Sequence, residues 1–182
     1  MAEYGINTKK NIICIGRMHK RKRLDHLVKA FVQMKRDDIG LILVGSDPDG
    51  ILKEINGHNI FKLGAIYGNK KLNLLSASDV YCLPGAVGLS IVDAFYYGLP
   101  LVTEEGDESP EIIYLRNGVN GFFVKRGDIK SMAEKLQLLL DDDVLRKQFS
   151  VAAKREIVEN GSIQKFCEGF RDALFYVNDK NN

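Results

Sequence analysis

Two segments of this 182-residue chain carry residue types at spacings suited to chemistry on a phosphorylated ligand. The first is GRMHKRKRL at 16–24, where Arg17, Lys20, Arg21, Lys22 and Arg23 put five cations into seven positions directly after an apolar run that ends at Gly16. Arg offers a planar fork and Lys a mobile point charge, the donors that hold a diphosphate and meet charge growing on a leaving group. The second is PGAVGLSIVDAFYYGLPLVT at 84–103, a glycine-bearing turn, a short helix around Asp93 and a strand. Gly88 falls at the mouth of that helix, so the amides of Gly88, Leu89 and Ser90 suit a phosphate. With Leu89, Val92 and Tyr96 assigned to the core, Asp93 sits at the edge of the buried stripe, where a carboxylate can accept paired hydrogen bonds from two ribose hydroxyls. Taken singly, a glycine turn usually solves a backbone problem and a charged loop is usually a solvated face. A site forms only if the two segments fall at one sheet edge.

Other chemistries are poorly served. Cys14 and Cys82 lie in strand-like apolar runs and Cys167 stands apart, so none has a partner at metal-ligand spacing and packing is the expected role. Asp47 and Asp49 have the spacing of a metal-binding pair, but Pro48 and Gly50 make SDPDG read as a turn, and no metal is expected. His19, set among cations, is a poor candidate base. A net charge of +2 gives no reason to expect nucleic acid. No run approaches the length of about 20 apolar residues that spans a bilayer, and a cytoplasmic setting, with contact at the inner face of a membrane left open, is expected.

The elements that must position these groups follow from periodicity. Apolar runs at 11–15, 40–45, 59–63, 79–83, 99–103 and 121–124 read as six strands, and their continuous rather than alternating character predicts a parallel sheet covered on both faces. Helices are predicted between them at 24–34, 70–78, 89–97 and 109–115. From Asp128 onward the pattern is helical only, with an N-cap at Asp128, a helix over 142–159 broken at Gly161, and a last helix over 162–177. That last helix carries Ile163, Phe166, Phe170, Leu174 and Val177 on one side. The fold class is therefore α/β, a Rossmann-like parallel sheet of about six strands with a helical C-terminal tail, and residues 1–182 form one domain.

The succession GRMHKRKRLDHLVKAF, LILVG, LSASDVYCLPGAVGLSIVDAFYYGLPLVT and SPEIIYLRNGVNGFFV resembles the nucleotide-sugar-binding C-terminal domain of the GT-B glycosyltransferases of family 4, from about Asn11 to the chain end. The resemblance implies one half of a GT-B architecture, with an N-terminal acceptor domain absent from this chain. It implies a nucleoside diphosphate sugar as donor, a saccharide or lipid-linked acceptor, no further cofactor, and retaining hexosyl transfer in surface polysaccharide synthesis by the intact enzyme. It assigns the donor diphosphate to Arg17, after Gly16, and to Lys22 as the catalytic cations, with the amides of Gly88 and Leu89, followed by Ser90. Leu63, Gly64 and Ala65 correspond to the loop that reads the base. The family's paired-glutamate motif falls on Asp93, which keeps the charge that holds the ribose, and, seven intervening residues earlier, on Gly85, which has no side chain. The family's glycine after the lysine is here Arg23, and Glu111 matches a family glutamate after proline. Two rival readings stand beside this one. Gly85 favours a non-catalytic nucleotide-binding or interaction module, whereas a dinucleotide-dependent oxidoreductase is disfavoured because GRMHKRKR replaces GxGxxG.

Overall fold

Short apolar runs that end at glycine fold here into strands buried on both faces. The computed structural model describes residues 1–106 and 109–180. In it β1 (Lys10–Ile15), β2 (Ile39–Val44), β3 (Ile60–Lys62), β4 (Val80–Cys82), β5 (Leu101–Glu104) and β6 (Gly121–Val124) form one sheet in the order β3-β2-β1-β4-β5-β6. Every pairing is parallel, with Ile12 opposite Leu41 on one side of β1 and opposite Val80 on the other. The six runs picked out in the sequence coincide with these strands to within two residues at either end. Ile12, Ile13, Leu41, Ile42, Leu43 and Tyr81 are wholly buried. At roughly 1.5–3 kcal/mol for each large apolar side chain removed from water, this central layer outweighs any surface ion pair.

Parallel neighbours require crossovers, and these are α1 (Leu24–Gln33), α2 (Ile51–Glu54), α3 (Gly68–Ser76) and α4 (Ser90–Tyr96), followed by α5 (Ile129–Asp141), α6 (Asp143–Asn160) and α7 (Ile163–Lys180). Helix α1 packs on α5, and α4 packs on α6. Asp128 and Asp142 cap the last two cored helices, accepting from the Ser131 and Leu145 amides at 2.9 and 2.8 Å. The segment 46–50 is a turn, as read, but it opens a short helix that the sequence did not reveal. Asp47 accepts from the Ile51 and Leu52 amides at 2.8 and 2.9 Å, and Lys62 Nζ donates to the Leu52 and Ile55 carbonyls at the other end.

Helix α4 turns to the core a different face from the one expected from its sequence. Leu89 and Tyr96 are exposed, and the face turned to the core is Ile91, Ala94 and Phe95. Leu89 is the capping residue and the helix starts at Ser90, so the apolar stripe begins at Ile91 and recurs three and four residues on. In α7, none of the described side chains is buried, and Ile163, Phe166, Phe170, Leu174 and Val177 all face solvent. Gly169 does not interrupt it.

The order of strands reverses between β1 and β4, so the loops after these two strands diverge and leave a crevice at the carboxyl edge of the sheet. Gly45 shows how tightly that edge is built. A Cβ there would lie 1.7 Å from the Gly16 carbonyl oxygen, so the chain leaving β2 can touch the chain leaving β1 only as glycine.

Candidate functional site

At the reversal point lies a cavity of about 320 Å³. Its walls come from four strand-end loops and the helices that follow them. Ile15, Gly16 and Arg17 leave β1, Val44, Gly45 and Ser46 leave β2, Ala65, Ile66, Tyr67 and Lys71 lie between β3 and the middle of α3, and Leu89, Ser90 and Asp93 belong to α4 and its cap. Of the residues singled out in the sequence, Gly16, Arg17, Ala65, Leu89, Ser90 and Asp93 line this one cavity. Lys22, Leu63, Gly64, Gly85 and Gly88 are outside its lining.

Asp93 is half exposed, and its Oδ2 accepts a 2.8 Å hydrogen bond from Lys71 Nζ, which reaches across from α3. A carboxylate has about four acceptor positions, so Asp93 keeps capacity for two hydroxyl groups while Lys71 is bound. Lys71 also brings a second cation to a cavity that already has Arg17 in its lining. Sequence reasoning missed Lys71, along with Tyr67 and Ser46. The only signal available was topological, since the residues after β3 must converge on the same edge as those after β1.

Of the remaining candidates, Gly64 is exposed, Leu63 and Gly88 are half-buried, and Lys22 and Gly85 are buried. Lys22 is buried, stacks beside Gly16, and donates from Nζ to the Ala86 carbonyl. Its charge is felt by Cys14, whose thiol is pushed up to about 12 by burial and pulled partly back by the ammonium. Cys82 is likewise raised by burial, and both cysteines pack as small apolar residues. Burial first, and then the charges of Lys22 and Arg21, hold the His19 imidazole below its usual value. The Gly88 amide donates to Ser109 Oγ at 2.9 Å, so a phosphate arriving at this helix entry would displace a hydroxyl. The Ser90 hydroxyl donates to the Val87 carbonyl. Among the described residues no group of three or more His, Cys, Asp or Glu side chains could hold a metal ion.

Behind the turn after β4 is a buried charged cluster. Arg23 is 7% exposed, its Nε lies 2.7 Å from Glu104 Oε2, and its other end donates to the Pro84 carbonyl at 2.8 Å. Glu104, at the end of β5, is fully buried, with Oε1 at 2.7 Å from His26 Nδ1 and accepting the Gly127 amide at 3.1 Å. This cluster occupies the space beside Gly85. A Cβ at residue 85 would lie 2.2 Å from the Arg21 carbonyl oxygen and 2.8 Å from Arg23 Cζ.

The family profile described as glycosyl transferases group 1 matches residues 1–156. The chain belongs to this family. Among the relatives of this glycosyl transferases group 1 chain is the phosphatidyl-myo-inositol mannosyltransferase of Mycobacterium leprae, 31% identical over 159 residues, which are 82% of this chain and 42% of that protein. A solved S. aureus TarM variant, in complex with fondaparinux, alpha-GlcNAc-glycerol and UDP, superposes with a TM-score of 0.77 at 25% identity, covering 90% of this chain and 35% of that one. The Anabaena Alr3699/HepE protein, solved with UDP and glucose, has the same fold, with a TM-score of 0.83 at 19% identity over 96% of this chain and 50% of that one. The chain spans less than half the length of the curated relatives it matches.

Proposed function

We propose that this domain is the donor-binding half of an enzyme that moves a sugar from a nucleoside diphosphate sugar to a saccharide or lipid-linked acceptor in surface polysaccharide synthesis. The observation that carries the proposal is the meeting of Arg17, Lys71 and Asp93 in one cavity at the strand-order reversal. In this reading the Asp93 carboxylate accepts the two ribose hydroxyls, and Ala65, with Leu63 and Gly64 behind it, borders the base. The diphosphate lies toward Arg17 and the entry to α4. As the bond from sugar to diphosphate breaks, negative charge grows on the departing oxygen. Arg17, with Lys22 behind the wall and the amides of Gly88, Leu89 and Ser90, stabilises that charge more than it stabilises the ground state. The family resemblance supports transfer with retention of configuration. The UDP present in the TarM complex supports a nucleoside diphosphate as the ligand class.

Acceptor contacts belong to a preceding domain that would close over the cavity, exclude water and cover the apolar side of α7. The isolated chain would then bind nucleotide and transfer little sugar. No described helix is long and apolar enough to cross a membrane. We place the intact enzyme in the cytoplasm, at the inner membrane face where the acceptor is lipid-linked. Isothermal titration with uridine, guanosine, adenosine and cytidine diphosphates tests the reading. One of them is expected to bind below millimolar concentration, and Arg17→Ala is expected to weaken it about tenfold or more, as for loss of a charge-assisted hydrogen bond. Silence from the whole panel at millimolar concentration would defeat it. A second reading, nucleotide binding without transfer, is favoured by the absence of a side chain at Gly85. It predicts that the chain joined to its preceding domain binds nucleotide yet leaves nucleoside diphosphate sugars intact.

A further inference from the structure

The backbone at Arg23 has φ 51° and ψ 43°, a left-handed conformation that a long side chain adopts at a cost. Ala86 has φ 46°, so two non-glycine residues in facing segments share this strain. The two segments are joined by three bonds running in both directions. The Gly85 amide donates to the Lys22 carbonyl at 3.2 Å, the Arg23 guanidinium donates to the Pro84 carbonyl at 2.8 Å, and Lys22 Nζ donates to the Ala86 carbonyl. Glu104 anchors the guanidinium from the other side at 2.7 Å. Residue 85 can carry no side chain while the Arg21 carbonyl and the guanidinium stand where they do. Immediately beyond the turn, Leu89 and Ser90 line the cavity, and Gly16 and Arg17 line it at the near end of the other segment.

From this geometry we infer that Arg23 is a positioning residue for the proposed donor site, fixing the turn at 84–86 against the loop at 20–23 so that the entry to α4 and Arg17 face one diphosphate. The inference rests on the donor-site reading of the cavity. Arg23 is not among the residues that line the cavity. It acts through the turn, and Gly85 is the complement that makes room for it. The strain at residue 23 is thus retained because glycine there, though at ease in the backbone, would leave the turn without its clamp.

The test is the double variant Arg23→Gly/Glu104→Gln, which relieves the left-handed strain and removes both charges of the buried Arg23–Glu104 pair together, so that neither is left facing the vacated place of the other. Circular dichroism checks that it is folded, and titration with UDP and with uridine, beside amide exchange over 84–91 read by mass spectrometry, supplies the measurements. Expected are a UDP affinity at least tenfold weaker, a uridine affinity unchanged, and faster exchange across 84–91 without nucleotide. Gly85→Ala, which presses on the same contact from the other side, is expected to give the same signature. Arg23→Lys, which keeps the charge facing Glu104 and loses the fork, is expected to fall between. Unchanged exchange, or faster exchange with unchanged UDP affinity, overturns the positioning role. If the unsubstituted chain binds no nucleoside diphosphate, the donor reading fails on its own, and the exchange measurement still decides whether Arg23 clamps the turn.

Discussion

Asp93 and Lys71 show how a single contact sets the behaviour of the cavity. The Asp93 carboxylate is engaged by Lys71 but not sealed off, since about half of its surface meets solvent. Asp93→Asn keeps the shape and removes the charge, and it is expected to weaken nucleoside diphosphate binding by about 1.5–3 kcal/mol, ~10- to 100-fold in Kd, as measured by titration. Lys71→Met removes a cation from the cavity and leaves Asp93 without its partner, so the affinity for the diphosphate is expected to fall, and the salt dependence of binding is expected to flatten. Asp93 was legible in the sequence because its spacing from Gly88 and Leu89 is local and the helix is short. Lys71 was not, because it meets Asp93 across 22 residues and two elements, and nothing in KKLNLLSAS distinguishes the lysine that turns inward from Lys70, which faces Glu3 at the surface. The role of Gly85 was hidden for the same reason. Its lack of a side chain is visible in the sequence, but the guanidinium that forbids one is known only from the fold.

Elements were more legible than contacts, because the sheet announces itself through continuous apolar runs whose burial requires no knowledge of partners. What failed was phase within α4, where seven residues allow two assignments of the buried face and the capping position decides between them. The helix ends carry testable consequences. Asp142 caps α6 through the Leu145 amide, so Asp142→Ala is expected to cost about 1 kcal/mol, a loss read as a lower midpoint in thermal melting. At the far end of α1, Arg36 holds Asp38 at 2.7 Å and also binds Asp141 at the end of α5. The hydrogen bond from Arg36 holds the Asp38 carboxyl below the usual carboxylate range. A lowered folded value means that the contribution is fully present above the ordinary range near ~4 and is lost as pH falls through the folded value. Thermal midpoints are therefore expected to be flat in this respect from about pH 7 to 5 and to drop below about 4, with Asp38→Asn removing part of the acid slope. Asp38 is partly exposed, so its share is small and shrinks further in salt.

At the scale of the whole molecule, α7 stands outside the core. Its side chains are exposed along its described length, and an apolar groove of about 620 Å³ runs where Ile163 and Phe166 approach Val92, Pro110 and Ile113. Ending the chain at Gly161 is expected to lower helix content in circular dichroism while shifting the melting midpoint by no more than a few degrees, because little burial is surrendered. A collapse of the melting transition would show that α7 supports the core after all. The strand order has a different consequence, one that acts before the molecule is complete. Because β1 is flanked by β2 on one side and by β4 on the other, its second edge has no mate until residues 80–82 have left the ribosome. During that interval the nascent half-sheet offers an unpaired apolar border to any neighbouring chain, so the stage between the emergence of β2 and the emergence of β4 is the one at which a chaperone is expected to raise the yield most.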